Sequence, residues 1–240
     1  LLGAIAEGAN AVTVFIIVSG FVIFFLLDSA REGYGTFIWR RVLRLYPVYL
    51  ICLLASVPLQ SMELAALRQA PWPHPLNPGL MDIAAASLSY LPEQLAAHLA
   101  MIHGLLPPSV LPHSPYALLG PAWSLSLEWQ FYIVAPAVFW VVSKGLWPAV
   151  TLAVVTFAAY FLPGGREGML IHHGPMFALG IASYLLWRHA ARPASRFLLG
   201  IGIIVVGALT RSLPLVIWTA VFLAFYQPGA VGAGMIRATL

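Results

Sequence analysis

The chain has 240 residues, of which 61% are hydrophobic and only 8% charged, against roughly 25% charged in an average soluble domain. So few charges cannot cover a water-exposed surface, which excludes a soluble globular domain and points to a surface facing lipid. The net charge of +4 comes from 12 Lys/Arg against 8 Asp/Glu. The basic residues gather at the ends of apolar runs, where membrane topology accounts for them, and no nucleic-acid partner is implied.

Runs such as residues 12–27 and 201–208 are continuously apolar and lack the alternation of a barrel strand. The expected fold class is therefore all-α, a polytopic integral membrane helical bundle. At about 20 residues per span there is room for about seven to eight membrane-embedded helices, in a single transmembrane domain over residues 1–240. The lone cysteine, Cys52, excludes an intramolecular disulfide. Leu1 lies beside an apolar run and Leu240 just after one, so both ends read as cut from a longer protein.

In chain order, the first span covers residues 11–27 and is followed by a charged turn with Asp28, Arg31, Glu32, Gly33 and Gly35. The second covers residues 36–57 and carries Arg40, Arg41 and Arg44 in its first two turns. Residues 58–82 are proline-rich with mixed charges and read as an extramembrane loop, with room for a short helix over 62–69. Residues 83–106 are ambiguous, being interrupted by Pro92 and Glu93. Residues 107–121 form a second extramembrane loop, proline-rich and without formal charge. Further spans are expected at 122–142, 146–162, 169–187, 197–210 and 213–226. Basic residues favour the cytoplasmic side. Placing Arg31, Arg40, Arg41 and Arg44 there together with Arg188, Arg192 and Arg196 requires that 83–106 enter and leave on the outer side without crossing.

Arg40 and Arg44 lie four apart, and Arg41 and Arg44 three apart, so on a helix all three guanidinium groups can converge on one side. Forked arginine donors fit phosphate oxygens, and three at a membrane boundary suit an anionic ligand such as a nucleotide diphosphate or coenzyme A. Arginines there also serve as topology determinants that snorkel to lipid phosphates. Tyr46 and Pro47 follow directly, which sets the last of these arginines some way into the span, where a charge marks a functional site.

Ser124, Glu128 and Tyr132 are spaced by four and form one polar stripe on a helix opened by Trp123. A carboxylate inside a membrane is costly unless paired or protonated. Glu128 could pair with an arginine, accept protons or hold a sugar hydroxyl. The plainer reading is a helix–helix contact, with Trp123 and Trp129 as interfacial anchors. Ser19 and Gly20, inside the first span, read as packing residues, since nothing local would activate a serine nucleophile. Seven histidines occur, none with metal-ligand spacing, so no metal site is expected. His98 and His103 are five apart, off any shared helix face. His103 and the pair His172–His173 sit in membrane-associated segments and read first as polar contacts, with His103 kept as a catalytic candidate.

Together these segments resemble membrane acyltransferase family 3, acyl-CoA-dependent O-acyltransferases that decorate extracytoplasmic glycans. Val14-Phe15-Ile16-Ile17-Val18-Ser19-Gly20-Phe21 is similar to the family's "FFxxSGF" span. Phe37-Ile38-Trp39-Arg40-Arg41-Val42-Leu43-Arg44-Leu45-Tyr46-Pro47 is similar to "FxxRRxxRxxP", and Trp123-Ser124-Leu125-Ser126-Leu127-Glu128-Trp129-Gln130-Phe131-Tyr132 to "WSLxxExxFY". Weaker similarity continues at residues 99–104 and 177–180.

The resemblance implies an enzyme that transfers an acyl group, acetyl expected, from cytoplasmic acyl-CoA to a hydroxyl of a cell-surface polysaccharide, lipopolysaccharide or other glycan or lipid-linked sugar. It implies a multi-pass location in the bacterial inner membrane, with acyl-CoA as donor substrate and no permanently bound cofactor. Arg40, Arg41 and Arg44 would bind the donor, Glu128 would orient a catalytic partner or the acceptor, and Ser19, Gly20, Trp123, Ser124 and Tyr132 would support the site. The family's principal histidine precedes the "SGF" span. Residues 1–13 contain neither His nor Arg, so that histidine is expected upstream of Leu1 and this piece alone is expected to be inactive. A transporter or flippase for an anionic lipid-linked sugar, or a catalytically dead scaffold, are the alternatives.

Overall fold

A computed structural model of the chain describes residues 8–30, 32–69, 74–160, 168–188, 214–218 and 222. Among them there is no strand. The helices are α1 (Gly8–Ala30), α2 (Tyr34–Gln69), α3 (Asn77–Ser89), α4 (Leu91–Leu99), α5 (Trp123–Ser143), α6 (Leu146–Tyr160) and α7 (Leu170–Arg188), with a 3₁₀ turn at Gly120–Ala122 leading into α5.

Only three of these are long and apolar enough to cross a membrane: α1, α2 and the stretch Gly120–Ser143. The expected seven to eight embedded helices are thus corrected to three among the described residues. The reasons are local. Helix α6 has 15 residues, short of the roughly 20 that a span needs. Helix α7 has 19, but His172, His173 and Pro175 dilute its first half. The spans expected at 197–210 and 213–226, like Arg192 and Arg196, fall outside the described residues apart from 214–218 and 222.

Helix α2 runs further than expected. Residues 58–69 continue the helix through Pro47 and Pro58, giving 36 residues, a rod of about 54 Å at 1.5 Å per residue. That exceeds a hydrocarbon core of roughly 30 Å, so the helix is long enough for one end to stand clear of the bilayer. Its buried face mixes polar with apolar residues, and its exposed face carries large apolar ones. The buried face includes Arg41, Ser56 and Gln60, while Val48 and Ile51 are 68% and 70% exposed, as lipid contact requires. Helices α3 and α4, of 13 and 9 residues, are each too short to span, which agrees with a segment that does not cross as one helix.

The chain divides into two compact units. One comprises the described parts of 1–31, 141–157 and 173–240; the other comprises 32–140 and 158–172.

In the first unit, α1 and α7 meet through backbone. A Cβ on Gly20 would lie 2.4 Å from the Phe177 carbonyl oxygen, and one on Gly180 would lie 2.0 Å from that of Ile17. Small residues let membrane helices approach closely enough for dispersion to hold them. Near the ends of the same two helices, Asp28 pairs with Arg188 at 2.9 Å and accepts the Tyr184 hydroxyl. The helices therefore run parallel with their C-terminal ends together. Phe21, Phe25, Tyr184 and Trp187 pack edge to face or tilted around this end.

The second unit is built on α2, against which α3 packs. Tyr49, Leu53, Met101, Leu118 and Ala122 form its core, with Tyr46 and Trp129 packed against them. Trp129 thus packs its ring against Tyr46, at 5.9 Å between centroids, instead of serving only as an interfacial anchor. The segment expected as a loop at 107–121 is largely packed, with Leu111, Ser114, Ala117 and Leu118 buried. Leu118 takes a left-handed backbone, φ 57°, which a bulky side chain adopts only under constraint. The constraint is visible: Ser87 Oγ accepts its N–H at 3.1 Å and Gln60 Nε2 donates to its carbonyl at 3.0 Å.

Candidate functional site

The arginine helix and the Trp-Ser-Leu-Ser-Leu-Glu helix meet in the second unit. Phe37 packs edge-on against Tyr132, 6.5 Å between centroids. The Tyr34 hydroxyl donates to the Ile133 carbonyl at 3.3 Å. Between them lies Arg41, only 7% exposed, its guanidinium carbon 5.4 Å from the Phe37 ring centre and 5.7 Å from that of Tyr132. A guanidinium over an aromatic face is attracted by the ring quadrupole, more strongly where water is excluded. Arg41 Nε is buried and has no hydrogen-bond partner.

Tyr132 carries the contact onward. Its hydroxyl donates to Glu128 Oε1, one turn back on α5, and both residues are buried. The charges of Arg41 and Arg44 both act on the Tyr132 hydroxyl. The four-residue spacing read in the sequence thus becomes a relay: guanidinium, aromatic ring, phenol, carboxylate.

The arginines do not all converge. Arg40 is exposed and pairs with Glu32 at 3.0 Å. Helical geometry explains the split, since adjacent residues are about 100° apart on the helix and only one of Arg40 and Arg41 can face α5. Arg44 is exposed on α2.

Other candidates fall elsewhere. Ser124 donates back to the Pro121 carbonyl at 3.0 Å where α5 begins, beside the half-buried Trp123. Ser19 and Gly20 belong to the first unit, in the α1–α7 seam. His103 is fully buried and its Nε2 lies 3.1 Å from the Ala122 carbonyl, which ties a turn to the start of α5. No group of three or more His, Cys, Asp or Glu that could hold a metal occurs among the described residues.

Sequence reading passed over three residues that organise this region. Ser126 donates to the Met101 carbonyl at 2.8 Å and accepts the Gly104 N–H at 3.3 Å. Gln130 donates to the Gly168 carbonyl at 2.7 Å and accepts the Leu170 N–H at 2.9 Å. His98 shares a hydrogen bond with the Tyr49 hydroxyl at 3.1 Å, and its ring stacks on His103. The available signal was polarity: Ser126 and Gln130 are four apart in an apolar run and define a second stripe beside Glu128.

A family model described as an acyltransferase domain matches residues 8–237, nearly the whole chain. The chain belongs to membrane acyltransferase family 3. Comparison with curated proteins and with solved structures returned no significant match. The acyltransferase is all-helical over its described residues, with apolar helices suited to a membrane. Its arginine and Trp-Ser-Leu-Ser-Leu-Glu motifs are the two segments that meet at Arg41 and Tyr132.

Proposed function

We propose that this acyltransferase holds an acyl-CoA donor through Arg41 and Arg44 and serves transfer of its acyl group, acetyl expected, to a hydroxyl of a cell-surface glycan at the bacterial inner membrane. The observation that carries the reading is Arg41: a buried guanidinium with an unpartnered Nε, beside a phenol that is itself bonded to a buried carboxylate. A buried charge is strongly disfavoured unless paired and hydrogen-bonded, and a phosphate oxygen supplies both. Glu128 holds the Tyr132 hydroxyl and so fixes the ring against which Arg41 rests; it is a positioning residue. Arg40, held by Glu32, makes at most a peripheral donor contact.

In the transfer step the hydroxyl oxygen attacks the thioester carbonyl, a C–O bond forms and the C–S bond breaks. The hydroxyl proton passes to a general base and then to the departing thiolate. The family's histidine is the proposed base, or carries the acyl group between donor and acceptor. His103 is assigned to holding its turn. No metal and no resident cofactor enter this scheme.

Donor binding by the full-length protein in detergent tests the reading. Acetyl-CoA is expected to raise the thermal midpoint, with an affinity that weakens as salt rises because phosphate–arginine attraction is screened. Glu128→Gln is expected to weaken binding about tenfold, by loosening the Tyr132 ring that positions Arg41. Stabilisation that is independent of salt and unchanged in Glu128→Gln would contradict the proposed site.

A further inference from the structure

Helix α4 ends at Leu99, and the chain reverses through Met101, which is fully buried with a left-handed backbone, φ 54°. The reversal lays the His103 ring flat on that of His98, with centroids 3.9 Å apart and planes 3° from parallel. Both histidines are fully buried. Each holds a different neighbour: His98 meets Tyr49 of α2, whose hydroxyl also donates to the His98 carbonyl at 3.0 Å, and His103 meets the Ala122 carbonyl before α5.

We infer that the stacked His98–His103 pair is an acid-sensitive latch, which fastens the turn at residues 98–104 to α2 and to Ala122, just before α5, while both rings are neutral and releases it when both are charged. This inference is independent of the acyl-CoA reading. Two imidazolium ions 3.9 Å apart in a dry interior would repel with little screening. The groups that face the pair are the Tyr49 phenol from α2, with Tyr46 beside it, and the carbonyls of Ala97, Ser114, Ala117 and Ala122. None is a carboxylate that could neutralise a second proton.

Burial, and then the neighbouring His103, hold His98 down to about 3, against the partial opposition of the Ser114 and Ala117 carbonyls. Burial alone holds His103 down to about 4, opposed by the Ala122 and Ala97 carbonyls. Both values lie below the ordinary 6.5. The closed state therefore binds fewer protons than the open one, so closure is fully favoured above pH 6.5 and is lost as pH falls from there toward 4 and 3. At pH 5 each histidine shifts the equilibrium toward opening by up to about 30-fold.

The test is hydrogen exchange of the backbone amides of residues 98–104 in the full-length protein in nanodiscs, corrected for intrinsic rates. Between pH 7.5 and 5 their protection is expected to fall by a factor of 100 or more and to return at pH 7.5. His98→Asn with His103→Gln keeps an N–H at Nδ1 and at Nε2 respectively, and is expected to abolish that acid response. Unchanged wild-type protection at pH 5, or an equal response in a folded double variant, overturns the latch. If the double variant does not fold, ¹⁵N-histidine spectra of the wild type decide. Both rings are expected to stay neutral until protection is lost, and a ring that charges near pH 6.5 with the segment still protected overturns it.

Discussion

Arg41→Ala is expected to lower kcat/KM for acyl-CoA about 100-fold, while Arg40→Ala lowers it less than about threefold. A hydrogen bond to a charged partner in a dry site contributes about 1.5–3 kcal/mol, and each 1.4 kcal/mol is tenfold. Arg41 is in such a site, buried against Phe37 and Tyr132. Arg40 is exposed and already satisfied by Glu32, and an exposed pair of this kind contributes little. Arg41→Lys is expected to recover only part of the loss, because an ammonium keeps the charge without the planar fork or the stacking. Steady-state kinetics on full-length variants of matched thermal midpoint measure this. Equal losses for Arg40→Ala and Arg41→Ala would show that the buried arginine has no special role.

Gly180→Ala is expected to be the most damaging glycine-to-alanine change among the described residues of the first unit. Its Cβ would stand 2.0 Å from the Ile17 carbonyl oxygen and 2.8 Å from the Phe21 nitrogen. Those atoms are helix backbone and cannot swing aside as a side chain end would. Overpacking of a tight contact costs about 1–3 kcal/mol, and the gap cannot open without separating the Asp28–Arg188 pair and its aromatic surround. Gly20→Ala faces the Phe177 carbonyl in the same way. By contrast Gly79→Ala meets no atom within 4 Å and is expected to be neutral or slightly stabilising. Thermal unfolding in one detergent should rank the three variants in that order.

That seam shows what the sequence could and could not convey. The "SGF" segment and the weaker Phe177–Gly180 similarity were legible as separate motifs in apolar runs, and Gly20 was read as a packing residue. That Gly20 and Gly180 face each other was hidden, because apolar periodicity says which residues avoid water and not which helix they meet. Helix α2 shows the same limit in another form. Proline and mixed charge at residues 58–82 suggested a loop, yet Pro58 continues a helix whose buried face still supplies Gln60 and Leu64.

At the candidate site, the spacing put Glu128 and Tyr132 on one polar stripe, but did not show the hydrogen bond that joins them. The helical wheel also placed Arg40, Arg41 and Arg44 within reach of one another. It could not show that Glu32 holds Arg40 from outside the helix, which breaks the cluster into one paired and one buried arginine. His98 and His103 were set aside as a metal pair because five residues do not share a helix face, while His103 stayed a catalytic candidate. That geometry holds only within a helix, and α4 ends at Leu99, so a left-handed Met101 brings the rings together after all. Such a turn needs tertiary contacts to hold it, and no local signal announces it.

Transfer of a labelled acetyl group from acetyl-CoA to a glycan hydroxyl, by the purified full-length protein in detergent, tests the central claim most directly. Detergent removes any sealed compartment, so a transporter has nothing to do there while an acyltransferase still forms an ester. Labelled ester is expected on the acceptor, with release of one CoA thiol per ester, and both are expected to fall together in Arg41→Ala. Movement of a lipid-linked sugar in sealed vesicles, with no ester and no thiol in detergent, would contradict the claim.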